Sequence, residues 1–287
     1  MSIDVLAGLS AGPVPVRGRR PRVLVFDSGM GGLTVAGALR AATPGAELIY
    51  VADDAVFPYG ALDDGPLVDR AASVIRHFAA RERADLVVVA CSTASTLVLP
   101  VLRAELSIPV VGTVPAIKPA VAASASGVIA VLATAGTIRR AYTAELVQRF
   151  ADGREVLLVG APRLAGFAER ILRGEGVDDG LLEEQVAPCF AERGGRRTDV
   201  VVLACTHFPL LRERLERIAP WPVAWIDPAP AIARRAASLL DVAEASEKSE
   251  PATMDRAYLT GGRDLSAPLR EALLARGFGE IRIEPVG

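Results

Sequence analysis

The chain has 287 residues, long for one domain and comfortable for two. A net charge of −2, with no basic stripe carrying interleaved aromatics, argues against a nucleic-acid partner, and a 51% apolar composition dominated by Ala and Val excludes a disordered or fibrous chain. Three widely spaced cysteines, Cys91, Cys189 and Cys205, form no disulfide framework, which points to a reducing, cytoplasmic setting and to chemistry as the use of the thiols.

In chain order, residues 1–20 place Asp4 near the start of a short apolar stretch and Arg17, Arg19 and Arg20 at its end. That is the wrong charge order for a secretory signal, so a loose tail is expected. From Arg22 the pattern alternates. Arg22-Val-Leu-Val-Phe26 reads as a strand, Asp27-Ser28-Gly29-Met30-Gly31-Gly32 as a glycine-rich turn, and Leu33 to Ala42 as a helix. Glu47 to Val51 is a second strand, followed by a loop through Asp53 and Phe57-Pro58-Tyr59-Gly60, a helix from Leu67 to Arg83, a strand from Asp85, a helix from about Ser95 to Leu106, and a strand at Ile108-Pro-Val-Val111. The apolar zone from Ile108 to Ile138 is interrupted by Pro109, Pro115, Lys118, Pro119 and several Gly, so no membrane span is expected.

A second set begins at Gly127 to Leu132, enters a helix after Thr137 that runs to about Phe150, and continues with a strand at Glu155 to Val159. A loop and helix from Ala161 to Arg173 contain Glu169; another helix covers Leu181 to Arg193 and precedes a strand from Asp199. A helix near Leu210 to Ile218, a strand at Val223 to Ile226, a further helix, a polar break from Glu244 to Pro251, and terminal segments at Ala257 to Gly262 and Glu280 to Ile283 complete the chain. The expected architecture is α/β: two pseudo-symmetric lobes with mainly parallel sheets and the active site in the cleft between them. The expected division is a tail at 1–20, a first lobe at 21–112 plus 223–287, and a second lobe at 113–222.

Two stretches organise this reading. Asp85-Leu-Val-Val-Val-Ala-Cys91-Ser92-Thr93 and Asp199-Val-Val-Val-Leu-Ala-Cys205-Thr206-His207 share one pattern, an Asp, a buried strand, then Ala-Cys and small hydroxyl residues. Buried cysteines are common core residues. A matched pair at two strand C-termini is better explained by two thiols facing one ligand, one as thiolate and one as thiol. His207 lies two residues after Cys205, where an imidazole can share a proton, whereas His77 sits in a helical pattern. Asp27 projects from a strand end, and the turn after it offers N–H groups that suit a carboxylate or phosphate, although it is neither a dinucleotide fingerprint nor a Walker A loop. No C-x-x-C pair supports a metal site. The only lysines, Lys118 and Lys248, lie between prolines and in the polar break, which disfavours pyridoxal phosphate and points to a reaction without a cofactor.

Five motifs in order, Phe26-Asp27-Ser28-Gly29-Met30-Gly31-Gly32-Leu33-Thr34, Phe57-Pro58-Tyr59-Gly60, Ala90-Cys91-Ser92-Thr93-Ala94-Ser95, Ile108-Pro109-Val110-Val111-Gly112 and Cys205-Thr206-His207-Phe208-Pro209-Leu210, resemble the glutamate racemases of the cofactor-independent aspartate/glutamate racemase superfamily. The resemblance spans nearly the whole chain after residue 20. It implies interconversion of L- and D-glutamate by two cysteines, with Cys205 acting on the L-enantiomer and Cys91 on the D-enantiomer, assisted by Asp27, His207 and Glu169. It further implies substrate contacts at Ser28, Pro58, Tyr59, Gly60, Ser92, Thr93, Thr134, Thr137 and Thr206, a role in supplying D-glutamate for peptidoglycan, and a homodimer as the assembly often seen in the family.

Four departures stand out. Ser92 replaces the family's usual Asn, a shorter group with one O–H donor and no amide. Ala161-Pro162 and Ala204 replace a frequent Cys-Pro and a frequent Gly, and Phe208 replaces a common Tyr. Ser92 keeps two other readings open: a relative acting on aspartate or another small carboxylate, and a non-catalytic regulatory protein on the same fold, since some members of the family also inhibit DNA gyrase.

Overall fold

The computed structural model describes residues 14–15, 19–241, 254–262 and 265–286; most of the expected tail and the polar break with Lys248 lie outside the described residues. A first run comprises β1 (Arg22–Asp27), α1 (Leu33–Ala42), β2 (Glu47–Ala52), α2 (Asp64–Arg81), β3 (Leu86–Val89), α3 (Ser92–Glu105) and β4 (Val110–Gly112). A second comprises α4 (Ile117–Ala123), β5 (Val128–Ala133), α5 (Ala135–Arg139), α6 (Ala141–Phe150), β6 (Glu155–Gly160), α7 (Leu164–Leu172), α8 (Asp179–Val186), β7 (Val200–Leu203), α9 (Arg212–Ile218) and β8 (Ala224–Ile226). The chain then adds α10 (Ala229–Leu239), β9 (Asp255–Leu259), α11 (Ala267–Ala275) and β10 (Phe278–Ile283).

Two parallel sheets result, ordered β10-β9-β2-β1-β3-β4 and β8-β7-β5-β6. Counted within each run, the strand order is the same, second-first-third-fourth, so β3 and β7 are equivalent strands. Both are buried along their whole length, which is why they read as unbroken Val/Leu runs: helices cover each sheet on both faces. In the first lobe α1, α10 and α11 supply Leu33, Ile232 and Leu273 to one core, while α2 and α3 supply Phe78 and Val98 to the other. In the second lobe α7, α8 and α9 pack on one face and α4 and α6 on the other.

The matched aspartates that open the cysteine strands sit at the far end from the cysteines and tie down loops. Asp85 pairs with Arg19 at 2.7 Å and accepts the Arg22 N–H at 2.8 Å, while Asp199 accepts from the Ser124 hydroxyl at 2.6 Å and from the Ala125 and Ser126 N–H groups.

Several boundaries differ from the sequence reading. Ala224–Ile226, expected in the first lobe, pairs with β7 in the second sheet because Trp225 buries into the second-lobe core; the return to the first lobe falls at Asp227-Pro228. The helix expected from Leu181 to Arg193 ends at Val186, since Pro188 follows and Gly194 and Gly195, both at positive φ, turn Glu192–Arg193 back onto Arg196–Arg197. The helix expected to continue to Phe150 is split at Arg140, whose backbone is extended. Lys118 stands inside α4, because Pro119 falls in the first helical turn, where its missing N–H costs nothing. No helix among the described residues is long and apolar enough to cross a membrane.

Candidate active site

In each sheet the strand order reverses between the first and third strands of its run, and the crevice beyond the strand ends at such a point is where α/β folds bind ligands. The residues singled out from sequence lie there. Asp27-Ser28 and Cys91-Ser92-Thr93 leave β1 and β3; Thr134 and Thr137 follow β5; Cys205-Thr206-His207 follow β7. α3 begins at Ser92, three residues before the expected Ser95, so Cys91 occupies the N-cap position and the first-turn N–H groups point into the crevice.

Side chains join the two halves. The Thr206 hydroxyl donates to Asp27 Oδ2 at 2.9 Å. Thr93 Oγ1 of the first lobe lies 3.1 Å from Thr134 Oγ1 and 3.4 Å from Thr137 Oγ1, which are themselves 3.0 Å apart, a trio of hydroxyls suited to a carboxylate. The glycine-rich turn crosses the cleft as well. Its Gly29 N–H bonds Asp27 Oδ1 at 2.9 Å and its Met30 N–H bonds Glu169 Oε1 at 2.5 Å, so one N–H of this turn is taken up by a carboxylate of the opposite lobe. A Cβ at Gly31 would stand 2.4 Å from His207 Nδ1 and one at Gly29 2.4 Å from Glu169 Oε1, which is why these positions need glycine.

The two thiols, both at most 5% exposed, sit in unlike surroundings. Burial, then the neighbouring Asp27 charge, pushes the Cys91 thiol up to about 12 against opposing help from Ser28 and the Ala94 N–H; its Sγ donates to Ser28 Oγ at 3.5 Å. Cys205 Sγ instead lies 3.9 Å from His207 Nδ1. Nε2 of the same ring is 2.9 Å from Glu169 Oε1, and the Phe57 ring packs on it with centroids 5.4 Å apart. Burial works against the imidazolium, but Cys205, Glu169 and Asp27 together hold His207 well above its ordinary pKa. Burial likewise opposes the Glu169 anion, yet the His207 hydrogen bond and charge, the Met30 N–H and Arg173 leave its carboxyl below the usual range. Asp27 is raised, burial outweighing the attraction of His207. Cys91 therefore has a hydroxyl at its sulfur and the Asp27 charge nearby, whereas Cys205 has an imidazole, so the two thiols are placed differently for proton transfer.

Two expected contacts take a different form. The Tyr59 hydroxyl donates to buried Asp53 at 2.6 Å, so what Tyr59-Gly60 presents to the crevice is backbone; Gly60 packs against Thr134. Pro58 is exposed and follows a cis peptide bond. Ser92 is 4% exposed, and its Oγ has no hydrogen-bond partner among the described residues.

Several supporting residues escaped sequence reasoning. Asp53 gathers Tyr59, Arg70 and Thr260. The Tyr50 hydroxyl holds the Gly29 carbonyl at 2.6 Å. Arg140 reaches from the second lobe to the Thr93 carbonyl at 2.8 Å, Thr96 Oγ1 at 2.9 Å and Asp64 at 3.0 Å. The i,i+4 pair of Glu169 and Arg173 was a readable signal; the others depend on contacts far apart in sequence. Among the described residues no group of three or more His, Cys, Asp or Glu could hold a metal ion. A cavity of about 570 Å³ lies apart from this crevice, between the β4–α4 crossover and α10, and contains none of these residues.

Residues 34–236 match the Asp/Glu/Hydantoin racemase family. The chain belongs to that family. Among its relatives, glutamate racemase of Brucella anthropi is 54% identical over 227 residues, covering 79% of this chain and 82% of that one. The Brucella ovis glutamate racemase is 50% identical over 258 residues, covering 90% and 92%. The crystal structure of Escherichia coli glutamate racemase in complex with L-glutamate and the activator UDP-MurNAc-Ala superimposes with a TM-score of 0.85 at 38% identity, covering 93% of this chain and all of that one. As a member of the racemase family the chain is an isomerase, and the two-lobed α/β fold is that of the solved glutamate racemases.

Proposed function

We propose that this racemase interconverts L- and D-glutamate by proton transfer between two cysteines. The observation that carries the reading is the placement of Cys91 and Cys205 at equivalent strand ends of two like-ordered sheets, one beside the Ser28 hydroxyl and the other beside the His207 imidazole; the names of the relatives support glutamate as the substrate. In the L-to-D direction Cys205 thiolate, with His207 beside it, takes the α-proton while the Cys91 thiol delivers its proton to the opposite face. One C–H bond breaks, one forms, and the thiolate charge ends on Cys91. The reverse reaction exchanges the roles.

The substrate carboxylates fit two groups of donors, the first turn of α3 with Ser92 and the Thr93, Thr134 and Thr137 hydroxyls. Fixed N–H groups in a crevice shielded from water favour the charge that builds toward the α-carbon and its carboxylate in the transition state. Asp27, His207 and Glu169 assist the proton transfers, and Ser28, Thr206 and the Pro58-Tyr59-Gly60 backbone complete the enclosure. We further infer a cytoplasmic role supplying D-glutamate for peptidoglycan, with a homodimer as the working assembly.

The test is incubation of the purified protein with L-glutamate and, separately, L-aspartate, followed by chiral chromatography. D-Glutamate should accumulate to equal amounts of the two enantiomers. Turnover of aspartate in preference would mean that Ser92 marks a different pocket, and silence on both with folded, reduced protein would refute the enzymatic reading.

A further inference from the structure

Glu169 uses its two oxygens on opposite sides. Oε1 points inward, 2.9 Å from His207 Nε2 and 2.5 Å from the Met30 nitrogen, while Oε2 points outward to a guanidinium nitrogen of Arg173 at 3.7 Å. The same nitrogen lies 3.7 Å from Asp54 Oδ2, a carboxylate of the first lobe that is 5% exposed and fixed by the Gly261 N–H at 2.7 Å. Arg173, the C-cap of α7, is therefore held between an acid on that helix and an acid on the other lobe, with its side chain only 17% exposed.

The end of α7 is seated on the first lobe by uncharged contacts too. Leu172 packs on the core formed by α1, α10 and α11. The Arg173 carbonyl accepts from the Ser266 hydroxyl at 3.4 Å, and Gly174 turns at φ +84 so closely against Pro268 that a Cβ would lie 2.7 Å from its ring. A side chain at that position would push the end of α7 off its seat. Separating the lobes would break the Arg173–Asp54 contact and the Met30–Glu169 bond together, yet leave Arg173 beside Glu169 at the end of α7.

We propose that Arg173 is a positioning residue for the proton relay that serves Cys205: pinned between Glu169 and Asp54, its guanidinium aims the Glu169 carboxylate at His207, so that the relay is complete only when the two lobes are docked. The proposal rests on the racemase reading given above and assigns to that site a cation which the sequence motifs do not contain. The charged and titratable groups that face Glu169 are His207, Arg173, Asp27, Asp54 and Tyr50; Cys205 stands behind His207 and Cys91 behind Asp27. Three carboxyls share two cations in this group. Without Arg173, His207 alone must balance them, and Glu169 takes up a proton at higher pH. Arg173 is thus set apart from a packing residue by an effect on ionisation.

The test compares Arg173→Met, Arg173→Lys and Asp54→Asn with the parent enzyme, using racemisation of glutamate against pH and the ring ¹⁵N shifts of His207, with exposed His77 as the internal reference. Arg173→Met should lower kcat about tenfold and move the acid limb of the pH profile upward by about one unit, the size expected on removing an opposite charge within a few ångströms. The KM for glutamate should stay within about twofold, because the guanidinium reaches the substrate only through Glu169 and His207. Arg173→Lys should restore most of both losses. Asp54→Asn, which keeps the cation but cuts its tie to the first lobe, should lower kcat without raising the limb. Unchanged kcat and limb in Arg173→Met, or a loss of kcat with an unmoved limb and an unmoved acid inflection of the His207 shifts, would overturn the proposal; a parent-like Asp54→Asn would overturn its inter-lobe part. Failure of the parent protein to racemise glutamate would instead count against the racemase reading, and the His207 shifts would still decide the role of Arg173.

Discussion

Replacing Ser92 with Ala tests whether its hydroxyl is there for the substrate. The oxygen is buried at the start of α3 and has no hydrogen-bond partner among the described residues. Leaving a buried hydroxyl unpaired costs about 1–3 kcal/mol, so removing it should stabilise the ligand-free enzyme by about 1 kcal/mol, raising the unfolding midpoint by about 2 °C in a protein of this size. Glutamate reverses the balance. If Ser92 donates to a substrate carboxylate, the lost charge-assisted hydrogen bond is worth about 1.5–3 kcal/mol, which is a fall in kcat/KM of about tenfold or more. The assay pairs thermal unfolding, with and without glutamate, with initial rates in both directions. Because the enantiomers have equal free energies, the fall in kcat/KM must be the same from either side. A variant less stable than the parent, or one with unchanged kcat/KM, would refute the assignment.

Three further outcomes follow from the same geometry. Cys189 is fully buried in the second-lobe core and its thiol is pushed up to about 12 by burial alone, so Cys189→Ala should leave racemisation within about twofold, the expectation for a packing residue away from the chemistry. A thiol with a raised folded pKa gives stability that is intact below its unfolded value and lost as pH rises toward the folded one. Cys91 and Cys189, at about 12 against 9.0, should therefore each contribute a loss of about 4 kcal/mol between pH 9 and 12, and Cys189→Ala should flatten the alkaline slope of unfolding free energy measured in urea. Arg140→Ala should raise the KM for glutamate about tenfold, since it removes hydrogen bonds that fasten Thr93 to the lobe carrying Thr134 and Thr137; steady-state kinetics with unchanged KM would contradict this.

Much of the fold was legible because parallel strands covered on both faces leave an unmistakable trace. The Val/Leu runs of β3 and β7, each ending at Ala-Cys, marked equivalent strands and their C-terminal ends without any knowledge of the sheet order. Boundaries failed where a local rule was overridden or incompletely applied. Pro119 reads as a breaker but stands in a first turn; Leu181 to Arg193 looks periodic, but Pro188 and the Gly194-Gly195 pair end the helix; Ala224–Ile226 is too short for its lobe to be read from pattern.

The site divides along the same line. Groups delivered directly by strand ends, Asp27, Cys91, Cys205 and His207, could be placed in the crevice from motif and position. Contacts that reach across from the opposite lobe could not. Asp54 meets Arg173 across more than one hundred residues of chain, and Arg140 meets Thr93 across the lobe boundary; such pairings exist only once two sheets have folded and docked. The glycine-rich turn shows the distinction in one element. Its N–H groups suit an anion in the sequence, and one of them, at Met30, holds the Glu169 carboxylate of the opposite lobe, a pairing that exists only once the lobes have docked.

The most direct test of the two-cysteine account is to start from L-glutamate in deuterated water and follow the α-position of both enantiomers in the first few per cent of turnover, with the parent enzyme, Cys91→Ala and Cys205→Ala side by side. The account predicts that D-glutamate forms with solvent deuterium at its α-carbon and that each single-cysteine variant fails to racemise. D-Glutamate that retains the original α-proton, or undiminished racemisation by either variant, would contradict it.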